Sequence, residues 1–329
     1  MTTRTGELPD VIASSARRKA NGDAVFRGLT LLAGAFVLLV LAAIAVFLVV
    51  KSLPAFGHDT KSFWTTFEWL PDNSPAIFGV AALAFGTALS AVLALVMAFP
   101  VAVAVALFIS DYAPRRLARW LGYITDLLAA VPSVVFGLWG LFWLVPHLTP
   151  LQHWLADNLG FIPLFADSES VTANASRSIF AASVVLAIMV LPIISAIARE
   201  VFQQVDPGLK EAALGLGSTR WEMIRTAVIP PSKGGLAGAT ILGLGRALGE
   251  TIAVALVLGS SYAVNFQVLI PGKNTIAANI ASQFGEAGPI GRPALIASGL
   301  VLFAMTMAVT LVARWIIYRA GAVERSAVA

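Results

Sequence analysis

Long apolar stretches separated by short charged ones set the pattern of this chain. Runs of the length that crosses a hydrocarbon core as a helix, about 20 residues, occur at Leu29 to Val50, Ala76 to Ile109, Leu121 to Val145, Ile179 to Ala198, Gly235 to Gly259 and Ala294 to Ile317. Six membrane-spanning helices are predicted. The second run is too long for one simple crossing but holds no polar turn. A hairpin there would leave turn backbone unsatisfied in lipid, so it reads as one long helix with Pro100 as a kink. The first run follows a basic tail and lacks an Ala-x-Ala exit, which makes it an uncleaved first span. The predicted organisation is a tail (1–28), a first span with its outer loop (29–75), a five-helix core (76–317) that includes a cytoplasmic loop (199–233), and a second tail (318–329).

Composition agrees with a lipid environment. With 58% hydrophobic residues, 12% charged residues and a mean hydropathy of +0.84, the chain cannot cover a soluble surface of its length. Most of the 22 Lys and Arg fall on one side of the predicted spans: Arg4, Arg17, Arg18, Lys19 and Arg27, then Arg115, Arg116 and Arg119, then Arg199, Lys210, Arg220, Arg225 and Lys233, then Arg314, Arg319 and Arg325. Lys51, Lys61, Arg177, Lys273 and Arg292 fall on the other. The richer side is cytoplasmic, so both termini are predicted inside. The pI of about 9.6 then follows from topology, with no separate nucleic-acid patch.

The absence of cysteine excludes disulfides, thiolate metal sites and a cysteine nucleophile. His58, His147 and His153 fall in predicted outer loops, and no His-x-x-x-His or Glu-x-x-His spacing marks a metal site. The outer segment Pro271-Gly272-Lys273-Asn274-Thr275 is no phosphate loop: Gln267 stands where its upstream glycine belongs and Asn274 follows the lysine. No Walker motif occurs in the chain. Ile276 to Phe284 reads as an external helix or as a solvated outer loop.

The loop between spans four and five carries capping chemistry. Asp206-Pro207 reads as an N-cap and first helical residue, with Gly215 and Gly217 able to stop the helix that follows. Thr219 and Glu222 have capping-box spacing for a second helix, on which Trp221, Ile224 and Val228 recur on one face until Pro230-Pro231 ends it. Two short helices at a glycine corner make a knob suited to a groove on another protein.

Arg246 and Glu250 lie four residues apart in an otherwise uncharged run. Charges inside a membrane cost roughly 2.5 to 3.5 kcal/mol each on insertion scales and normally face a bundle interior or a water-filled path. On a continuous helix the two share a face and form an internal ion pair. Gly234 with Gly238 and Gly245 with Gly249 are small-x-x-x-small pairs that let helices approach closely. Pro132 and Ser133, predicted mid-span, either free backbone groups to face a cavity or form a satisfied kink. Asp126 reads as a second pathway or gating charge, or as an interfacial acid at a helix start. Pro192 reads as a kink.

The loop resembles the EAA signature of ATP-binding-cassette importer permeases: Glu211-Ala212-Ala213, Gly217 at the required place and Ala227-Val228-Ile229-Pro230 at its end. Ala227 and Ile229 replace the usual isoleucine and leucine. Two further stretches, Val131 to Gly140 and Leu242 to Thr251, are similar to the PstC-type subunit of the phosphate-specific importer. The resemblance runs from about span two to span six and implies an all-α, type I importer permease with no catalytic chemistry and no cofactor of its own. It further implies a heterodimer with a PstA-type permease, a PstB-type ATPase dimer binding ATP and Mg, and an external PstS-type protein delivering phosphate. Glu211, Ala212, Ala213 and Gly217 would lie at the ATPase interface, with Trp221 and Ile224 of the knob, while Arg246, Glu250, Ser133 and Asp126 are pathway residues. An importer of molybdate or sulfate would share these features. An ion-coupled secondary transporter would lack the ATPase, and an intramembrane enzyme has only Asp126, Arg246 and Glu250 to work with.

Overall fold

The computed structural model describes residues 10–166, 177–259, 262, 264 and 266–327; Arg4, counted above in the basic tail, lies outside them. The chain forms two compact units, 1–51 and 52–329. Residues 10–51 of the first belong to α1 (Asp10–Phe56), one continuous helix whose part from Val25 is long and apolar enough to cross a membrane.

In the second unit the chain opens with a hairpin, β1 (Trp69–Leu70) against β2 (Ile77–Phe78), in antiparallel register Trp69 to Phe78. The expected start of span two at Ala76 is therefore corrected. Ile77 and Phe78 pair across the hairpin, and Phe78 buries its ring edge-on to Phe63 and Trp69. The membrane helix begins with α2 (Ala81–Leu107) and runs through a π-turn to Tyr112 without a break, Pro100 included, as a single long span. Ala91, Ala94, Ala98, Ala102 and Ala106 make a buried stripe along it, small enough for a neighbouring backbone to lie close.

Span three differs from expectation. It divides at Pro132 into α3 (Arg115–Ala129) and α4 (Ser133–Trp139), which continues through a π-turn into α5 (Val145–Leu159). Proline lacks an N–H and disfavours helix in the residue before it, so Ala130 and Val131 cannot carry the first helix into the second. The apolar span here is Ser133–Leu159, and His147 and His153 sit on a helix rather than in a loop.

Next comes α6 (Ile179–Gln203), the centre of the unit, packed by α2 and α3 and with most of its side chains buried. Its N-cap Ser178 accepts the N–H of Ala181 and donates to the buried Gln152. The knob follows as α7 (Pro207–Gly215) and α8 (Arg220–Met223). Pro230 and Pro231 do not end its second helix. A π-turn from Ile224 to Val228 leads directly into α9 (Ile229–Gly249), with both prolines in its first turn and the Ile229 N–H bonded to the Ile224 carbonyl; the wider turn accommodates residues that have no N–H to donate to the turn before.

The fifth run is not one helix. After α9, Glu250 takes extended backbone (φ −70, ψ 128), and a half-helix, α10 (Ile252–Val257), follows. It is capped at both ends. The Glu250 carboxylate accepts the N–H of Ala253 at 3.3 Å, and the Arg177 guanidinium donates to the carbonyls of Leu256, Val257 and Leu258 at 2.9 to 3.3 Å. A cation on terminal carbonyls and an anion at the N-terminus both suit the peptide dipoles. The predicted external helix exists as α11 (Ile276–Gln283), but Ile276, Ala277, Ala278 and Asn279 are buried, leaving only its far end exposed. The last helix is α12 (Gly291–Ala327), whose approach is fixed by Asp72 accepting the N–H groups of Gly288, Ile290 and Gly291.

Five helices among the described residues are long and apolar enough to cross a membrane: Val25–Phe56, Ala81–Tyr112, Ser133–Leu159, Ile179–Gln203 and Gly291–Trp315. The expected sixth corresponds to α9 and α10 together, which the break at Glu250 keeps from being a single helix.

The segment between α10 and α11 buries Lys273, 2% exposed, with its ammonium on the carbonyl of Gln267 at 2.6 Å. Burial pushes this lysine down to about 8 from an ordinary 10.5. Below pH 8 both folded and unfolded chains hold the proton, and the folded one bears the desolvation cost. Stability should therefore rise as pH increases from about 8 towards 10.5, where the unfolded chain also loses the proton. Thermal unfolding of the detergent-solubilised protein checks this, the rise being smaller in Lys273→Met.

Candidate functional site

The open cavity beside α9 and α12 has a volume of about 790 Å³ and is lined by Gly238, Leu242, Gly245, Arg246, Gly249 and Glu250 on one side and Thr310, Arg314 and Ile317 on the other, with Ile193 of α6. Which face of α9 meets it is decided by the glycines. Leu236, Ala239, Gly243 and Ala247 are buried. A Cβ on Gly235 would come within 2.5 Å of Val201, and one on Gly243 within 2.7 Å of Ile194. The intramolecular close approach thus uses Gly235 and Gly243. Gly234, Gly238, Gly245 and Gly249, the predicted packing pairs, have open space where a Cβ would stand. They form a bare strip, and Arg246 stands exposed beside it.

Arg246 and Glu250 both line this cavity, but no ion pair joins them. The ion pairs among the described residues are Lys61–Glu68, Arg199–Asp126 and Lys210–Asp111. The helical i,i+4 geometry fails because α9 stops at Gly249. Glu250 is 8% exposed with its carboxylate turned to the cap of α10, whereas Arg246 opens to the cavity. A guanidinium there offers a fixed fork of donors that matches two oxygens of a tetrahedral oxyanion.

Ser133 and Asp126 do not line that cavity. Ser133 is the first residue of α4, partly buried. Asp126 lies near the C-terminal end of α3, not at a helix start, and both its oxygens accept from Arg199 of α6 at 3.1 and 3.2 Å. This pair ties α3 to α6 in a separate cleft that also holds Arg119, Tyr123 and Gln203. Nothing in the sequence singles out Arg314 or Thr310. By sequence Arg314 is one more tail cation of the inside face, and only the packing of α12 on α9 places it in the cavity with Arg246.

The knob is built as its capping residues dictate. Asp206 accepts the N–H of Gly208 at 2.8 Å, and Gly217 turns the chain at φ 89, a left-handed conformation that favours glycine. Thr219 and Glu222 exchange both bonds of a capping box. The Thr219 N–H, then its hydroxyl, hold the Glu222 carboxyl below the ordinary range. Glu211, Ala212 and Gly217 are exposed, Ala213 is partly buried, and Trp221 is 58% exposed. Ile224 is not on the free surface. It and Val228 pack at 1% and 0% exposure against Ala198, Phe202 and Met223, because the stripe they share faces the bundle. The exposed large apolar groups are instead Leu209, Leu214 and Leu216, at 51%, 44% and 88%, together with Trp221. Leucines flanking a glycine corner gave no helical period by which sequence could single them out.

Residues 98–320 match the model of the binding-protein-dependent transport system inner membrane component family. The chain belongs to that family. It is 42% identical over 318 residues to phosphate transport system permease protein PstC 2 of Mycobacterium tuberculosis, covering 95% of this chain and 97% of the relative. It is 41% identical over 303 residues to PstC of Xylella fastidiosa, covering 92% of each. Among solved structures, a chain of the MetNI methionine ABC transporter in an inward-facing conformation superimposes with a TM-score of 0.51 at 16% identity, covering 73% of this chain and 95% of that one. The shared fold is that of a type I importer permease, and a family member with these helices is a multi-pass cell-membrane protein.

Proposed function

We propose that this chain is the PstC-type membrane subunit of an ATP-driven importer of inorganic phosphate, and that the cavity between α9 and α12 is its half of the pathway. The observation that carries the reading is Arg246 on the open face of α9, with Arg314 in the same cavity. Two guanidiniums and the single carboxylate of Glu250 leave net positive charge for a divalent oxyanion. The carboxylate keeps the site from being a trap by lowering that excess. The relatives' names supply the identity of the anion, since a guanidinium fork binds sulfate and molybdate by the same geometry.

The bare strip of Gly234, Gly238, Gly245 and Gly249 is where a PstA-type permease packs and closes the other half of the pathway. The knob, with Glu211, Ala212, Gly217, Leu214, Leu216 and Trp221 outward, is the surface that a PstB-type ATPase dimer grips. ATP and Mg are held there, and this chain performs no hydrolysis. Six crossings, α9 with α10 making the fifth, put both termini in the cytoplasm, and a PstS-type protein delivers phosphate at the opposite face.

The test is labelled phosphate uptake in cells lacking this chain, with and without the gene restored, in the presence of excess sulfate or molybdate. Uptake that returns with the gene and resists both competitors is expected. Restoration of sulfate or molybdate uptake instead would move the substrate to that oxyanion.

A further inference from the structure

Helix α7 bears the Glu-Ala-Ala segment yet buries none of its residues. Apolar packing anchors the knob chiefly through Met223, Ile224 and Val228, and of α7 only the partly buried Ala213 rests against that cluster. The polar tie of α7 to the bundle is Lys210. Its ammonium reaches Asp111 at 2.7 Å and the carbonyl of Phe202 at 3.3 Å. Asp111 lies in the π-turn that ends α2, with its side chain only 5% exposed, and its second oxygen accepts the Ser110 hydroxyl at 2.6 Å. Lys210, at 20%, is shielded as well. One ammonium thus joins the knob to the ends of both α2 and α6.

The pair is set where a force would pass. Lys210 directly precedes Glu211, and α2 is packed along its length on α6 and also on α9, which carries Arg246. A charge-assisted bond shielded from water holds its geometry better than an exposed one. Among the described residues no other ion pair reaches α7.

We propose that Lys210 and Asp111 are positioning residues forming the strut that transmits movement of the coupling knob to α2. Without the strut the knob still docks, but its displacement is absorbed at α7 instead of shifting the bundle. The inference rests on the reading of the knob as an ATPase-docking surface, and the experiment separates the two.

The complete transporter is purified with its ATPase in wild type, Asp111→Asn, Lys210→Met and the charge-exchanged double variant Asp111→Lys with Lys210→Asp. Each is reconstituted into vesicles, and phosphate moved per ATP hydrolysed is measured per assembled complex. Both single variants are expected to retain the ATPase and its hydrolysis while phosphate per ATP falls at least about fivefold, the lower end of ordinary coupling between sites. The exchanged pair should recover much of that ratio, which lost folding would not do. Wild-type ratios in the single variants, or a ratio that stays low in the exchanged pair although its ATPase is retained, would overturn the strut. Failure of the wild-type chain to hold any ATPase would overturn the docking reading itself, and the strut with it.

Discussion

Arg246→Gln is expected to lower phosphate uptake by about 10- to 100-fold at unchanged membrane level. The substitution removes the charge and the fork but keeps most of the length of the side chain. A hydrogen bond to a charged group contributes roughly 1.5 to 3 kcal/mol, which is about one to two powers of ten in affinity. The fold should survive because Arg246 is exposed in the cavity and pairs with no carboxylate among the described residues, so its loss strands no buried partner there. Arg246→Lys separates charge from shape: a lysine retains attraction but not bidentate geometry, and partial uptake is expected. Uptake of labelled phosphate at matched membrane levels is the measurement. Wild-type rates in Arg246→Gln would remove this residue from the pathway.

How far the sequence could be read is clearest on α9. Its apolar length and its one arginine were visible, and the face bearing Gly234, Gly238, Gly245 and Gly249 follows from helical spacing. What spacing does not tell is which neighbour a face meets. The tight approach to α6 is made by Gly235 and Gly243 one face away, and the more regular glycines are left bare. Capping was legible at Asp206 and at Thr219 with Glu222 because it is local chemistry, complete within four residues. The same local habit misleads at Pro230 and Pro231, where a π-turn lets two prolines open a helix. Glu250 fails for a related reason. Its i,i+4 relation to Arg246 assumes a continuous helix, and the carboxylate is instead used to cap the half-helix that begins after the break. Arg314 needed tertiary structure outright, since nothing in a tail cation announces a cavity shared with a helix far earlier in the chain.

Gly86→Val is expected to disrupt the folded chain strongly. A Cβ on Gly86 would meet the backbone carbonyl of Asn274 far inside van der Waals contact. That carbonyl cannot retreat. Asn274 is 5% exposed, its side-chain oxygen accepts the N–H of Thr275, and the next N–H, of Ile276, is held by the Thr87 hydroxyl at 3.0 Å. The Thr87 hydroxyl is itself bonded to the carbonyl of Leu83 at 2.7 Å, so α2 and the segment before α11 are locked in register at the position where the methyl would enter. Overpacking of a tight core costs about 1 to 3 kcal/mol and sometimes more. Alanine at this site recovers up to about 1 kcal/mol of helix preference, which leaves Gly86→Ala weakened and the branched Gly86→Val beyond repair by small shifts. Gly238→Ala is the matching control. It stands on the same kind of helix with nothing within 4 Å of its Cβ, so the unassembled chain should gain stability by about 0.5 to 1 kcal/mol. Thermal unfolding in detergent and membrane yield check the three together. A Gly86→Val chain as stable as wild type would overturn the close approach of α2 to residue 274, whereas a destabilised Gly238→Ala would show that the bare strip of α9 is covered within this chain.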